Sequence, residues 1–246
     1  MDPDIQYKNT SEAAVAGVRS LVGSCIRSGT VKKLVYTASV VAASPLKDDG
    51  TGFKDSMDES CWSPLHPSFA YSNDGLTGYV HSKTLAEKEV LSYNGRGIMV
   101  ATLACGLVGG GTILSTMPES MGVLISQIAK KEGRYQTLRF LEELIGKVPI
   151  LHIEDVSEAH IFCMEDSSIN GRFLCASTYL SSAEIASYCR QYYPEIDMAE
   201  EFIEDSRREI SWGSTKLQEM GFKYKYDIKG ILDGSLECAR KLDGFP

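Results

Sequence analysis

The sequence predicts an α/β protein built on a mainly parallel sheet, with a smaller lobe towards the C-terminus. Compact apolar, β-branched runs alternate with helical patterns along the 246 residues, and this alternation is typical of parallel strands joined by helices. Hydrophobic residues make up 43% of the chain and charged residues 24%, which are ordinary values for a globular protein. The less regular second half indicates the additional lobe.

The first half of the chain carries two helices and two strands. Apolar residues at helical spacing predict the first helix, which Thr10 or Ser11 would cap and Gly29 would end. The runs KLVYTAS and IMVATLAC are compact and apolar, as buried strands of parallel sheets are. In chain order, the predicted elements are a helix over 9–29, a strand over 33–39, a helix over 76–93 and a strand over 98–105.

Two loops interrupt this pattern. The first, 42–73, is long, polar and rich in Gly, Pro, Asp and Ser, and loops of this length within compact domains are usually functional. The second, 106–112, has the sequence GLVGGGT. Because it does not match the phosphate-binding pattern G-x-G-x-x-G and no helix opens at its end, we interpret it as a flexible connection.

The second half continues the alternation less regularly. A third strand ends at Asp155, which is placed to cap the helix that follows. The acidic run 198–209 is interpreted as a solvated surface segment. The remaining predictions are a helix over 123–131, strands over 148–155 and 171–177, and helices over 182–193, 215–220 and 228–242.

Composition excludes several classes of function. The net charge of −8 argues against nucleic-acid binding, which needs a basic face. The seven cysteines are odd in number and contain no C-x-x-C pair, which favours reduced thiols in a cytoplasmic protein over disulfides or a zinc site. His152 and His160 match no common zinc motif, so we expect no metal. We find no signal peptide, and no apolar run approaches the roughly 20 residues that span a bilayer.

One stretch, TGYVHSKTLAEKE, places Tyr79 four residues before Lys83 on the predicted second helix. Residues four apart share one helix face. A tyrosine has a reference pKa of about 10, and a neighbouring cation favours its ionised form. Such a phenol can give a proton to a carbonyl oxygen while hydride arrives at the carbon. This spacing therefore predicts a general acid, although a tyrosine-rich chain also produces it by chance.

Ser39 makes the catalytic interpretation more specific. It ends the first predicted strand, and ligands of open parallel sheets lie outside the carboxyl ends of the strands. A serine hydroxyl there can polarise the same carbonyl oxygen, whereas an isolated serine at a strand end is more often a turn former. The combination of strand, serine, long loop, helix with Tyr and Lys, and second buried strand predicts a catalytic cleft.

These residues and their surroundings resemble the extended short-chain dehydrogenase/reductase superfamily. Within it, the chain is similar to the plant dihydroflavonol 4-reductase group, which also contains anthocyanidin reductase, vestitone reductase and, more distantly, cinnamoyl-CoA reductase. The resemblance covers nearly the whole chain and favours the flavonoid reductases. It rests on VKKLVYTAS, DESCWS, GYVHSKTLAEKE, LHIEDVSEAHIF, GRFLCAS and GFKYKYDI.

The resemblance implies roles for individual residues. The implied catalytic residues are Ser39, Tyr79 and Lys83. The implied cofactor-binding residues are Thr37, Ala38, Tyr79, Lys83, Cys105, Gly106, Leu107, Val108 and Ser120. Ser44 and Pro149 align with substrate-binding positions. The family usually has Thr-Ser-Ser at 37–39 and often Pro-Thr at 105–106, so contacts to the nicotinamide are expected to differ here.

The resemblance also implies a Rossmann-like, doubly wound parallel sheet whose N-terminal half is missing from this sequence. Residues 1–110 would be the second half of the dinucleotide-binding domain. Residues 111–246 would form mainly the substrate-binding lobe, with 148–177 returning to the sheet. The family's glycine-rich pyrophosphate turn lies in the missing half, so we expect weak binding of NADPH. The exposed sheet edge would allow self-association.

The sequence therefore predicts an NADPH-dependent reductase of a flavonoid-type or related aromatic carbonyl substrate, with the proton coming from Tyr79. One alternative is a truncated isoform that does not bind the cofactor and acts as a non-catalytic or interacting protein. Another is a sugar-nucleotide epimerase or dehydratase of the same superfamily, against which SKTLAEK and DESCWS argue.

Overall fold

The structure, a computed structural model, describes residues 7–47, 52–66, 68–196, 198 and 210–243. Its helices are α1 (Thr10–Ser28), α2 (Asp74–Leu91), α3 (Glu119–Leu124), α4 (Glu132–Ile145), α5 (Ile153–Glu165), α6 (Ser182–Tyr192), α7 (Lys216–Glu219) and α8 (Ile228–Asp243). Its strands are β1 (Lys33–Ser39), β2 (Ser56–Met57), β3 (Met99–Cys105), β4 (Leu107–Gly109), β5 (Val148–His152), β6 (Gly171–Cys175), β7 (Thr178–Leu180) and β8 (Ser211–Trp212).

The central sheet is parallel, with the order β1-β3-β6. Its register places Ser39 opposite Cys105, and Cys105 opposite Cys175. The carboxyl ends of all three strands therefore meet at one level, which is where ligands of open α/β sheets bind.

Helices cover both faces of this sheet. Val18 of α1 and Val90 of α2 pack with Val100 on one face. Ala159 of α5 packs with Phe173 on the other. Burial on both faces explains why the strands are apolar along their length rather than alternating. The predicted α/β, doubly wound parallel fold is confirmed.

A second sheet has the order β4-β5-β7. Strand β5 is parallel to β4 and antiparallel to β7, and buried residues of α4, α6 and α8 pack with its residues in a large apolar cluster. Strands β2 and β8 pair separately and join the long loop to the C-terminal region. The division into a cofactor domain and a substrate lobe stays a prediction.

Several predicted elements and boundaries were wrong. Segment 106–112 is not simply a flexible loop, because it contains the paired strand β4. The helix expected over 123–131 lies instead at α3. Helix α1 is capped by Asn9, whose side chain accepts from the Glu12 N–H, and not by Thr10 or Ser11.

Asp155 does not cap α5. His152 does so, since its ring accepts from the Glu154 N–H. The buried Asp155 carboxylate instead accepts from the backbone N–H groups of Lys225 and Tyr226, at 2.9 and 3.2 Å. Asp155 therefore fastens the C-terminal segment to α5, a contact that local sequence does not reveal.

Helix α4 was missed, although its pattern was present. Tyr135, Leu138, Leu141 and Ile145 recur at helical spacing, and all four are buried. The acidic run 198–209 lies outside the described residues apart from Met198. Among the described residues, no helix is both long and apolar enough to cross a lipid bilayer.

His152 makes stability depend on pH. Its ring is 6% exposed and stacks on Tyr226 with centroids 3.7 Å apart. Burial lowers the pKa of His152 below its usual value of 6.5. Between that value and the lowered pKa, the unfolded chain binds more protons than the folded one. The contribution of the uncharged His152 ring to the free energy of unfolding is complete above about pH 6.5. It is lost as the pH falls towards the lowered pKa of His152.

We therefore expect the free energy of unfolding to decrease from pH 7 to pH 5, and less so in His152→Asn. Asparagine also caps helices but does not titrate. Urea unfolding at the two pH values measures both losses. Equal losses in wild type and variant would contradict this role of His152.

Candidate active site

Helix α2 presents Tyr79 and Lys83 at the carboxyl edge of the sheet. Asn73 starts the helix by accepting from the Leu76 N–H at 2.9 Å, and an asparagine here is a strong cap. The Lys83 Nζ lies 5.6 Å from the centroid of the Tyr79 ring. Tyr79 is 45% exposed, so its phenol is accessible to a ligand.

Ser39 is held in place at the end of β1. It caps the short 3₁₀ turn Val40–Ala42, and its Oγ accepts from the Val41 N–H at 3.4 Å. This is a long hydrogen bond, and it leaves the hydroxyl proton of Ser39 free to donate elsewhere. The turn is fully buried, which fixes the direction in which Ser39 leaves the strand.

One cavity of about 560 Å³ brings these residues together. Its volume lies within the range of small-molecule sites. All residues expected in the catalytic and cofactor sites line it, namely Thr37, Ala38, Ser39, Tyr79, Lys83, Cys105, Gly106, Leu107, Val108 and Ser120. The roles of these residues stay predictions.

Part of the wall of this cavity is apolar. It is formed by Leu76, Val123, Phe140 and Leu141, with Glu119 and Thr137 as further polar lining residues. Phe140, Leu141 and Thr137 come from α4, so the missed helix supplies much of this wall. The signal that could have found them was the apolar periodicity of 132–145.

A second cavity of about 820 Å³ adjoins the first. The two share Thr37, Cys105, Val108 and Ser120 as lining residues. The hydroxyls of Ser39, Tyr79 and Ser120 and the Lys83 ammonium are suitable partners for a nicotinamide and its ribose, and thus the residues fit such a group.

The two expected substrate-binding residues lie elsewhere. Ser44 is 1% exposed, and its hydroxyl donates to the Leu144 carbonyl at 2.5 Å while accepting from the Leu46 N–H. It thereby anchors the long loop to α4. Pro149 lies inside β5 opposite Tyr179. Neither residue lines the cavity around Tyr79.

Glycine at position 106 has a steric reason. A Cβ placed there would stand 2.4 Å from the Pro149 carbonyl oxygen, which is far inside van der Waals contact. The chain between β3 and β4 therefore passes directly against β5. Gly106 itself lines the cavity around Tyr79.

Sequence reasoning also missed a contact between His160 and Thr37. The His160 Nδ1 lies 2.7 Å from the Val156 carbonyl oxygen, which can only accept, so Nδ1 carries a proton. In the neutral ring Nε2 is then an acceptor. The Thr37 hydroxyl, 2.7 Å away, donates to it. Thr37 is thus left with acceptor lone pairs at the cavity wall.

Burial alters the ionisation of neighbouring side chains. Tyr36 precedes Thr37 on β1, and burial together with the charge of Glu87 raises its pKa. A hydrogen bond with Cys105 and complete burial raise the pKa of Cys175 well above its usual value. Cys175 is therefore an unreactive thiol.

All seven cysteines are free, and the described residues hold no group of three or more metal-binding side chains.

A buried ion pair lies beneath the site. Glu87 of α2 accepts from the Arg172 Nε at 3.1 Å and from the Thr102 hydroxyl at 2.7 Å. Tyr36, Thr102 and Arg172 are neighbours across the three strands of the central sheet. The Glu87 carboxylate therefore attaches the helix that carries Tyr79 and Lys83 to the central sheet.

No family model matches the chain, but curated proteins do. The chain is 34% identical over 227 residues to a (2S)-flavan-3-ol-forming anthocyanidin reductase of Vitis vinifera, covering 91% of this chain and 66% of that protein. It is 31% identical over 239 residues to an anthocyanidin reductase of Arabidopsis thaliana, with coverages of 96% and 68%. It is 30% identical over 237 residues to a dihydroflavonol 4-reductase of Callistephus chinensis, with coverages of 94% and 61%.

Solved structures share the fold. Vestitone reductase from alfalfa superimposes with a TM-score of 0.76 at 29% identity, over 96% of this chain and 73% of that one. A yeast methylglyoxal/isovaleraldehyde reductase complexed with NADPH gives a TM-score of 0.71 at 16% identity, over 98% and 75%. The second likeness shows the fold alone.

The fold and these relatives define an extended short-chain dehydrogenase/reductase. Within that superfamily, the chain belongs to the family of anthocyanidin reductase and dihydroflavonol 4-reductase. It spans about two thirds of the length of the curated relatives that it matches, from 61% to 68% in these three.

The direction of the hydrogen bond between Thr37 and His160 can be tested. Nitrogen-15 NMR at neutral pH is expected to show the Nδ1–H tautomer of His160, because the Val156 carbonyl fixes that proton. Thr37→Val should then shift the Nε2 resonance, since it removes the donor. Thr30→Val, a matched exchange distant from the cavity, should leave that resonance in place. An Nε2–H tautomer would contradict the assignment.

Proposed function

We propose that the protein is an NADPH-dependent reductase of a flavonoid-type or related aromatic carbonyl compound. The observation that carries the proposal is the position of Ser39, Tyr79 and Lys83 on one cavity. Family membership supports it, since the curated relatives are named as reductases. The activity itself belongs to the proposal, because the chain covers only part of those proteins.

In the proposed mechanism, Tyr79 donates the proton and Ser39 orients the acceptor. A carbonyl oxygen held between the two hydroxyls accepts a hydrogen bond from each, which polarises the carbon. When bound, a nicotinamide cofactor supplies the hydride to that carbon. The Lys83 ammonium lies beside the Tyr79 ring and stabilises the phenolate left after proton transfer. The product is the corresponding alcohol.

The cavity wall supports an aromatic, planar substrate. Leu76, Val123, Phe140 and Leu141 offer apolar surface in the same cavity as the polar residues. A flat ring system buries its faces against such a wall, while its carbonyl reaches Ser39 and Tyr79. Apolar contact supplies the affinity, and the few polar groups fix the orientation.

The cofactor and cellular setting are part of the proposal. We favour NADPH because a reductase with this fold has been solved with NADPH. A cytoplasmic location fits the reduced cysteines. In the described sheet, β1 pairs only with β3, and this supports self-association through the free edge of β1.

The chain itself should oxidise NADPH when supplied with a dihydroflavonol or an anthocyanidin. Absorbance at high NADPH concentration, compared with equal NADH, measures both the activity and the cofactor preference. The absence of turnover with either cofactor would overturn the proposal and favour the non-catalytic alternative.

Tyr79→Phe should lower kcat about 10²–10⁴-fold, because it removes the general acid, while KM changes little. The ring and its packing remain. Tyr192→Phe is the matched control, since Tyr192 is equally accessible at 46% against 45% for Tyr79 and lies outside the cavity. A normal kcat in Tyr79→Phe would show that the phenol is not the acid.

A further inference from the structure

Glu87 and Arg172 form an ion pair that water does not reach. Their side chains are 0% and 6% exposed. Taking two charges out of water is costly, and a buried pair is often no more stabilising than two apolar side chains of the same size. The stability of the fold therefore does not by itself account for this pair.

The hydrogen bonds of Arg172 show what the pair connects. All five of its N–H groups donate. Nε and Nη2 donate to the two Glu87 carboxylate oxygens at 3.1 and 3.3 Å. Nη1 donates to the carbonyls of Glu59 and Cys61 at 3.0 and 2.5 Å, and Nη2 also donates to the Ala42 carbonyl at 3.1 Å. The guanidinium also stacks on Trp62, 3.6 Å from its ring centroid. A fully used, planar guanidinium admits one orientation.

Two of these partners lie on segments whose residues line the cavity. Ala42 ends the 3₁₀ turn that begins at Ser39. Glu87 lies on α2 one helical turn after Lys83 and two turns after Tyr79. A single guanidinium thus holds the segment that bears Ser39 and the helix that bears Tyr79 and Lys83.

We propose that Glu87 and Arg172 are positioning residues that fix the placement of Ser39 relative to Tyr79 and Lys83. The inference rests on the proposed reductase function. Two hydroxyls must reach the same carbonyl oxygen, and small displacements in such an arrangement are costly to the reaction rate. Apolar residues could fill the space, but they cannot reproduce the directional contact from α2 through Arg172 to Ala42.

The test compares a single and a double variant with a matched control. Glu87→Met leaves the buried guanidinium without its counter-ion and should lower Tm by roughly 10 °C. The double variant Glu87→Met/Arg172→Leu removes both charges and should recover much of that loss. Glu89→Gln is the control, because Glu89 lies on the same helix as Glu87 and the exchange weakens only its more exposed ion pair with Arg19 of α1.

Steady-state rates are measured well below the lowest Tm. We expect kcat to fall roughly 10²-fold in both the single and the double variant, with KM for NADPH and for the carbonyl substrate nearly unchanged. Glu89→Gln should retain the wild-type kcat. A role confined to stability would make kcat follow Tm, so recovery of kcat in the double variant would overturn the inference.

A second readout separates this inference from the proposed function. In backbone amide NMR, the double variant should shift the resonances of Ser39 and Tyr79 as well as those of residues touching the pair, and Glu89→Gln should shift neither. Shifts confined to the direct contacts of the pair would overturn the inference, whether or not the wild-type chain reduces a carbonyl. If the wild-type chain shows no turnover but the NMR shifts occur as expected, only the proposed function is overturned.

Discussion

The structure is organised around one buried negative charge. Glu87 has no exposed surface, and an unpaired carboxylate in that position would cost several kcal/mol. Its partners come from distant parts of the chain: Thr102 on β3 and Arg172 on β6. Arg172 in turn holds the backbone of the long loop. The hydrogen bonds that satisfy this carboxylate and its arginine partner therefore fix the relative positions of one helix, two strands and the long loop.

The parallel register of the central sheet determines where the cavity lies. Because Ser39 and Cys105 are directly opposite each other, both strands end at the same level, and the chain leaves the sheet there in two directions. The turn after Ser39 lies next to α2, whereas at Gly106 the chain passes directly against β5. The cavity opens between these two exits. Its location follows from backbone pairing, whereas its chemistry follows from the side chains that line it.

The long loop and α4 complete the site by packing on one another. Ser44 donates to the Leu144 carbonyl, and the Tyr71 N–H donates to Glu143 at 3.0 Å. Phe69 meets Phe140 edge to face, with centroids 6.2 Å apart. A loop held in this way presents a fixed surface, so the apolar wall formed by α4 keeps its distance from Ser39 and Tyr79. The loop therefore acts as part of the scaffold at this point.

The sequence by itself determined the elements whose signals are local. Strand β1, the body of α1 and α2, and the pairing of Tyr79 with Lys83 follow from periodicity, caps and spacing, which depend only on neighbouring residues. Resemblance added the residues around 105–108 and Ser120, which the fold brings to the same cavity. Only the tertiary structure decided that Ser44 is an anchor, that Asp155 binds a distant backbone, that 107–109 is a strand, and that His160 orients Thr37. Each of these depends on a partner between 43 and 123 residues away along the chain. A local pattern shows which face of an element is apolar or polar, but it does not show what that face contacts.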